Sequence, residues 1–188
     1  FKFNFKYEPK VILDIGACIG LYSLNMSKIL PKSNIYAFEP VKESFELIKK
    51  NIRNNNVKNI TPINKGIFSE NKSMKMSLPN PENFKTEQLQ NDGMPGLGRY
   101  SVIENNQTIN SSSDNNFSSS WNNSVKNIEA EFISLKEFTK TYKINGSDII
   151  KIDCEGCEQI ILESNLQFFN NSKIIIMEHH PEFDFNGS

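Results

Sequence analysis

The sequence has few of the residues that mark specialised classes of protein. Its 188 residues include three cysteines and two histidines, and the formal net charge is −1. The odd cysteine count argues against a disulfide framework and favours a reducing compartment, so we expect a cytoplasmic protein. A net charge near zero provides no field that attracts nucleic acid or an anionic surface. We therefore expect no nucleic-acid partner. No apolar run approaches the roughly 20 residues that cross a bilayer, so we expect no membrane partner either.

The dinucleotide-binding pattern G-x-G-x-x-G is also missing. Instead, the apolar run Val11–Ile15 predicts a buried strand, Gly16 and Gly20 bracket a turn, and a helix is expected from Leu21. A strand, a glycine turn and a helix N-terminus form an entrance for a nucleotide. Asp14 favours a ligand with its own amine, such as the amino-acid part of S-adenosylmethionine, and would repel a pyrophosphate. The alternative is a plain strand-to-helix turn without a cofactor.

A second acid ends the next predicted strand. Glu39 stands 25 positions after Asp14, and in nucleotide-binding α/β units an acid about 20 residues downstream accepts the ribose hydroxyls. A third strand is expected near Ile60–Ile63, and the segment after it is expected beside the first strand. Adenine would then lie against Ile67 and near the backbone of Gly66. An ordinary strand exit is the alternative for that segment.

Composition changes between about residues 79 and 127. The stretch opens with Pro-Asn-Pro, and Asn105–Asn127 is rich in Asn and Ser. A loop of this length in a compact domain is usually functional or disordered, and we expect partial disorder near 111–120. The total length fits one domain. We therefore predict a single domain over 1–188 with a low-complexity insertion at about 79–127.

A second informative stretch follows the insertion. The strand predicted at Ile149–Ile152 leads into Asp153, Glu155, a glycine and Glu158, and a fifth strand at Lys173–Met177 leads into an acid and two histidines. The carboxyl ends of parallel strands share one rim, where ligands bind. The polar groups expected to converge there are Asp14, Glu39, Asp153, Glu155, Glu178 and His180.

Local signals predict further elements around these motifs. A short strand is expected at 129–133. Ser134 and Glu137 match a capping box in which Glu137 reaches back to Ser134, and the helix is expected to end at Asn145-Gly146. The apolar residues from Ile161 to Phe169 predict one amphipathic helix.

With these motifs the sequence resembles the FkbM-type methyltransferase family. The segments that carry the resemblance are Leu13–Gly20, Phe38–Pro40, Ile150–Glu158 and Met177–His180. The resemblance implies a class I, Rossmann-like, doubly wound α/β sheet and S-adenosylmethionine-dependent O-methylation of a small molecule or glycan, at a hydroxyl of a sugar or natural product. A full class I sheet has two strands after the fifth. We expect either a sheet that lacks these last two strands or a domain that continues outside this segment.

The resemblance also implies how the cofactor is held. Gly16, Ala17 and Gly20 would surround its amino-acid part, and Glu39 would bind its ribose. We add Asp14, Gly66 and Ile67 to the expected cofactor-binding residues on the strand-end argument above.

Three catalytic candidates fall where the acceptor should lie: Asp153, Glu155 and His180. His180 is the first candidate for the base, because an unperturbed histidine pKa of about 6.5 suits proton removal near neutral pH. Asp153 is the second candidate, or it orients the acceptor. Glu155 either belongs to the site or fixes the turn by accepting backbone N–H bonds. His179 should point to the opposite side of the strand, so the choice between the two histidines stays open.

The cysteines stand where the sequence departs from the family pattern. The family prefers Asn at position 18, and small apolar residues at the positions of Cys154 and Cys157. Packing is weighed there against a zinc site or a redox pair, and we predict no metal. The oligomeric state is not fixed by the sequence. Two rival functions remain: a dehydrogenase, against which the missing G-x-G-x-x-G argues, and a non-catalytic cofactor-binding module, which Cys18 and the short carboxyl end favour.

Overall fold

Five parallel strands form the central sheet of the computed structural model, which describes residues 7–79, 101–104, 107–108, 125–154 and 156–178. They are β1 (Val11–Ile15), β2 (Asn34–Phe38), β3 (Ile60–Ile63), β9 (Ile149–Ile152) and β10 (Ile174–Met177). Their order is β10-β9-β1-β2-β3, and every neighbouring pair is parallel. The strand order reverses between β1 and β9, which makes that boundary the switch point where open α/β sheets bind ligands. This order confirms the predicted Rossmann-like α/β fold.

Helices lie on both faces of this sheet. They are α1 (Leu21–Ile29), α2 (Lys42–Asn54), α3 (Leu135–Tyr142), α4 (Glu158–Ser164) and α5 (Leu166–Asn170). Ile12 and Ile48 belong to a core with α1 and α2, whereas Leu13, Phe138 and Ile161 belong to a second core with α3, α4 and α5. Because β1 contributes to both cores, it is an almost continuous apolar run. Among the described residues, no helix is long and apolar enough to cross a bilayer.

A second, mixed sheet packs on the face that carries α3. Its strands are β4 (Gly66–Phe68), β5 (Lys72–Pro79), β6 (Ser101–Glu104), β7 (Gln107–Thr108) and β8 (Val125–Ser134), in the order β4-β8-β5-β6-β7. β5 and β8 are antiparallel from Lys72 opposite Phe132 to Pro79 opposite Val125. The predicted insertion therefore lies between two paired strands, and the segment 111–120 is outside the described residues.

The strand predicted at 129–133 is about half of β8, and β5 was not predicted. Met74, Met76 and Leu78 alternate with polar residues along β5 and are buried. This period of two is typical of a strand with one buried face. The change in composition at about residue 79 falls at the end of β5, but composition did not predict β5 itself.

Helix α3 begins as predicted and ends earlier. The hydroxyl of Ser134 accepts a hydrogen bond from the backbone N of Glu137 (3.2 Å), which confirms the cap. The backbone N of Ser134 donates to the side chain of Asn71 (2.8 Å) rather than to Glu137. Lys143 adopts a left-handed conformation (φ 55°) and ends the helix before Asn145-Gly146. The predicted helix end is therefore wrong, because a lysine takes the position that glycine usually fills.

Two further predictions about elements are wrong. Asn165 separates α4 from α5, so the helix predicted from Ile161 to Phe169 is two short helices. The segment after β3 does not lie beside β1, because β2 lies between β1 and β3 and Gly66 starts the second sheet. Strand order in the sheet depends on long-range pairing, which the local sequence does not determine.

Candidate cofactor and acceptor site

The carboxyl ends of β1, β2 and β9 meet at the switch point. Gly16 follows β1, Glu39 follows β2 and Asp153 follows β9. The three strands are held in register by parallel pairing, in which Ile15 lies opposite Phe38 on one side and Ile152 on the other. The expected convergence of strand-end residues is therefore seen for β1, β2 and β9. Glu155 and His180 lie outside the described residues.

The turn after β1 approaches the turn after β9 so closely that only glycine fits. Gly16 has a φ of 77°, and a Cβ on it would lie 1.8 Å from the backbone oxygen of Asp153. The backbone N atoms of Gly16 and Ala17 both donate to the backbone oxygen of Phe38, at 3.2 and 2.9 Å. Gly20 also has a positive φ, 83°, and stands at the start of α1. The turn is thus pinned between β2 and β9.

Glu39 is a buried clamp on this turn. Its carboxylate accepts hydrogen bonds from the backbone N of Cys18 and of Val41, both at 2.9 Å, and the residue is 2% exposed. Burial raises the pKa of Glu39 to about 7, although the two N–H donors act in the opposite direction. The two oxygens of a carboxylate together accept about four hydrogen bonds, so each keeps capacity for a ribose hydroxyl.

Asp14 faces an amine that belongs to the protein. The residue is fully buried, and its Oδ2 accepts a hydrogen bond from the Ser23 hydroxyl at 2.6 Å. Its Oδ1 has no hydrogen-bond partner among the described residues, and the ammonium of Lys151 lies 3.6 Å away. Burial raises the pKa of Asp14, while Lys151 and Ser23 oppose that shift. Burial together with the charge of Asp14 raises the pKa of Tyr22 to about 12.

Lys151 is the cation of this group. Its ammonium donates to the backbone oxygen of Gly16 at 3.0 Å and pairs with Asp153 Oδ2 at 3.0 Å. Burial lowers the pKa of Lys151, but the attraction of Asp14 and Asp153 outweighs it, and the net shift is upward. The side chain of Asp153 is 29% exposed. Asp153 is therefore a rim carboxylate that is partly open to solvent and is held in place by Lys151.

The turn after β9 is fixed by Glu158. Its carboxylate accepts hydrogen bonds from the backbone N of Cys154 (3.1 Å) and of Gly156 (2.9 Å), and the residue is 4% exposed. This turn-fixing role was one of the alternatives for Glu155. Glu158 performs it from the first turn of α4, where an acid also stabilises the helix N-terminus.

Burial raises the pKa of two cysteines at the rim, Cys18 and Cys154. Burial raises the pKa of Cys154 well above its ordinary value, and a contact with Cys157 adds to the shift. Burial and the nearby Glu39 raise the pKa of Cys18. No group of three or more metal-ligating side chains occurs within the described part of the chain. A raised pKa disfavours the thiolate that metal binding and thiol exchange require.

Gly66 and Ile67 are packed into the protein. A Cβ on Gly66 would lie 2.3 Å from the ring of Phe132, and Ile67 is 2% exposed within the core. The ring of Phe132 thus accounts for the glycine. The expected adenine contacts stay a prediction, and one that would require a rearrangement at Ile67.

Two open grooves lie beside α3 rather than at the rim. One, of about 610 Å³, includes Glu70 and Lys140, and the other, of about 500 Å³, includes Lys65 and Tyr142. Neither is lined by the strand-end residues Gly16, Glu39 and Asp153 described above. The candidate site is therefore identified by the residues at the switch point and not by the grooves beside α3.

The arrangement of turns, acids and parallel strands agrees with the comparison against known families. The model of the methyltransferase FkbM domain matches residues 14–188. The chain belongs to the FkbM methyltransferase family. This confirms the resemblance found in the motifs of β1, β2 and β9.

Relatives of this FkbM domain are distant methyltransferases. The chain is 23% identical over 156 residues to methyltransferase 1 of Beauveria bassiana, covering 82% of this chain and 58% of that protein. It is 24% identical over 166 residues to methyltransferase sdnD of Sordaria araneosa, covering 81% and 59%. The chain thus spans less than two thirds of the length of these relatives. A crystal structure of methyltransferase FkbM from Methylobacillus flagellatus KT matches with a TM-score of 0.46 and 11% identity, over 85% of this chain and 30% of that one.

The structure brings most of the predicted cofactor residues of the FkbM domain to one place. Those of the first two strands and their turns are Asp14, Gly16, Ala17, Gly20 and Glu39. The contributions of Lys151, Glu158 and Ser23 were not predicted. Lys151 had a signal in the sequence, since it is a charged residue between Ile150 and Ile152 in a strand that is otherwise apolar. Such a residue in a buried strand must have partners.

Proposed function

We propose that this FkbM domain transfers a methyl group from S-adenosylmethionine to a hydroxyl of a sugar, glycan or natural product. The observation that carries the proposal is the pinched contact at the switch point, where Gly16 touches the backbone of Asp153. The glycine turn after β1 thus lies beside the partly exposed carboxylate of Asp153, which supports the proposal. The family typically uses S-adenosylmethionine, which supports this choice of cofactor.

The chemistry of the rim fits the parts of this cofactor. Its ammonium needs an acceptor, which the backbone oxygens of the turn provide, and its ribose needs a carboxylate, which Glu39 provides. The cofactor supplies an electrophilic methyl group on a sulfonium when it is bound. Both oxygens of Asp14 face groups of the protein, Ser23 and Lys151, so Asp14 contributes to binding through the turn that it supports and not by direct contact.

The acceptor hydroxyl must be aligned and must lose its proton. Asp153 orients the hydroxyl, because Lys151 fixes the direction of its carboxylate at 3.0 Å. His180 takes the proton, since a histidine changes charge near neutral pH.

Transfer is tested by incubating the chain with S-adenosylmethionine labelled in the methyl group and a panel of glycosides and hydroxylated natural products. We expect labelled product with the parent chain, and less than about a hundredth of it with His180→Gln. His179→Gln is the matched control and should retain activity. Equal loss in both variants would overturn the role of His180. Cofactor binding without transfer to any member of the panel would favour a non-catalytic cofactor-binding module.

A further inference from the structure

Lys151 connects the two turns that meet at the switch point. Its ammonium lies 3.0 Å from the backbone oxygen of Gly16, 3.0 Å from Asp153 and 3.6 Å from Asp14. We infer that Lys151 is a positioning residue that sets the spacing between the cofactor turn and the acceptor-side carboxylate. This inference rests on the proposed function and names a residue on which alignment in that site depends.

A lysine is costly at this place in a strand. Ile150 and Ile152 on either side are fully buried, and the side chain of Lys151 is only 16% exposed. A buried ammonium needs good partners, and an apolar residue of similar volume would often be at least as stable. Two oxygens lie within hydrogen-bond distance of this ammonium, those of Gly16 and Asp153, and Asp14 adds an ion pair at 3.6 Å. The number of partners accounts for the retained charge.

The contact with Gly16 fixes one peptide plane from both sides. The oxygen of Gly16 accepts from Lys151 of β9, while the N–H of the same peptide, on Ala17, donates to Phe38 of β2 at 2.9 Å. The plane cannot rotate without breaking one of these bonds. The same ammonium holds Asp153, so the turn and the carboxylate keep one mutual distance. Methyl transfer requires reacting atoms in line, and a displacement of about 1 Å can cost about a hundredfold in rate.

The variants must distinguish a role of Lys151 in the stability of the fold from a role in positioning the two turns. Lys151→Met alone leaves the buried carboxylate of Asp14 without its cation, and that change by itself is expected to destabilise the fold. The double variant Lys151→Met/Asp14→Asn removes both charges and keeps the volumes. Lys151→Arg keeps a cation that can reach the backbone oxygen of Gly16 and the carboxylate of Asp153. Lys173→Met is the matched control, since Lys173 pairs with Asp148 at 2.6 Å at the opposite end of the same strands.

Amide exchange measured by NMR on the ligand-free chain is the first readout. In the folded double variant we expect the amides of Ala17 and Cys18 to exchange at least about tenfold faster than in the parent, while the amides of β1 exchange at the parent rate. In Lys151→Arg the exchange rates of Ala17 and Cys18 should lie between those of the parent and the double variant. Lys173→Met should exchange at the rim as the parent does. Unchanged exchange at Ala17 and Cys18 in the double variant would overturn the inference.

Calorimetric titration with S-adenosylhomocysteine is the second readout. We expect the double variant to bind at least about tenfold more weakly than the parent, and Lys151→Arg to recover most of the affinity. Parent-like affinity in the double variant would overturn the inference. If the parent itself does not bind, the proposed function fails, and the amide exchange still decides whether Lys151 positions the turn.

Discussion

The turns after β1 and β9 are each stabilised by a buried glutamate, but the two glutamates lie at different distances along the chain from the turn that they hold. Each is held by a buried glutamate that accepts two backbone N–H bonds: Glu39 holds the N–H of Cys18 and Val41, and Glu158 holds those of Cys154 and Gly156. Glu158 acts within its own turn, at most four residues away. Glu39 reaches 21 residues back along the chain to clamp a turn on the neighbouring strand.

The difference assigns different tasks to the two acids. A local clamp such as Glu158 stabilises one turn, and it belongs to the start of α4. A cross-strand clamp such as Glu39 sets the position of one turn relative to another strand. We therefore expect Glu39 to matter more for ligand binding and Glu158 more for local stability.

The largest expected effect tests the contact between the turns. Gly16→Ala should lower the free energy of unfolding by about 3 kcal/mol or more, because the new Cβ meets the backbone oxygen of Asp153. Gly20→Ala is the matched control. It has a similar positive φ, but its Cβ would meet only the side chain of Ile48, at 3.3 Å. It should cost about 1–2 kcal/mol. Equal losses in urea unfolding would show that the approach to Asp153 is unimportant.

The pH dependence of stability tests the burial of Glu39. Its folded pKa of about 7 lies above the ordinary value of 4.5, so the folded state binds the proton more tightly. The contribution of Glu39 to stability is therefore greatest below pH 4.5 and is lost as the pH rises to about 7. The shift corresponds to about 3 kcal/mol. Urea unfolding from pH 5 to 8 should show this fall for the parent and not for Glu39→Gln. Parallel profiles would contradict a raised pKa.

Exchanging each clamp for its amide compares them directly. Glu39→Gln and Glu158→Gln each leave one backbone N–H without its acceptor, a loss of about 1–3 kcal/mol. At position 39 the amide also removes a buried charge, so the net cost near neutral pH should be smaller there than at position 158. Only Glu39→Gln should also weaken binding of S-adenosylhomocysteine, by about tenfold or more. Calorimetry on both variants measures the difference. Equal weakening would mean that the two turns form one unit.

The smallest effect concerns Cys18 in the clamped turn. Cys18 adopts a φ of 53°, in the left-handed region that Asn tolerates better than most residues. Cys18→Asn should raise the free energy of unfolding by up to about 1 kcal/mol, whereas Cys18→Ala should give no gain. The midpoint of urea unfolding tests this. A destabilised Cys18→Asn would show that the packing of the Cys18 thiol contributes more to stability than the relief of its backbone strain.

The two turns also show how far sequence patterns reach. The strands β1, β2 and β9 were predicted because short apolar runs ended by glycines or acids are local signals. The family model confirms the motifs that these strands carry. The left-handed conformation of Cys18 is one that Asn tolerates better than most residues.

The partners within the site could not be predicted locally. Lys151 donates a hydrogen bond to Gly16, 135 positions away in the sequence, and β5 pairs with β8 across the insertion. Such contacts depend on strand order, which follows from packing of the whole sheet. The roles expected for Gly66 and Ile67 came from a strand exit and stay predictions, and their packing against Phe132 and in the core could not be predicted from that local signal.

The switch point between β1 and β9 is the proposed binding site for S-adenosylmethionine. Calorimetric titration of S-adenosylhomocysteine into the parent chain and into Glu39→Ala tests this binding. We predict a Kd in the micromolar range for the parent and no detectable binding by the folded variant. Absence of binding by the folded parent chain, or unchanged affinity in Glu39→Ala, would contradict this proposal.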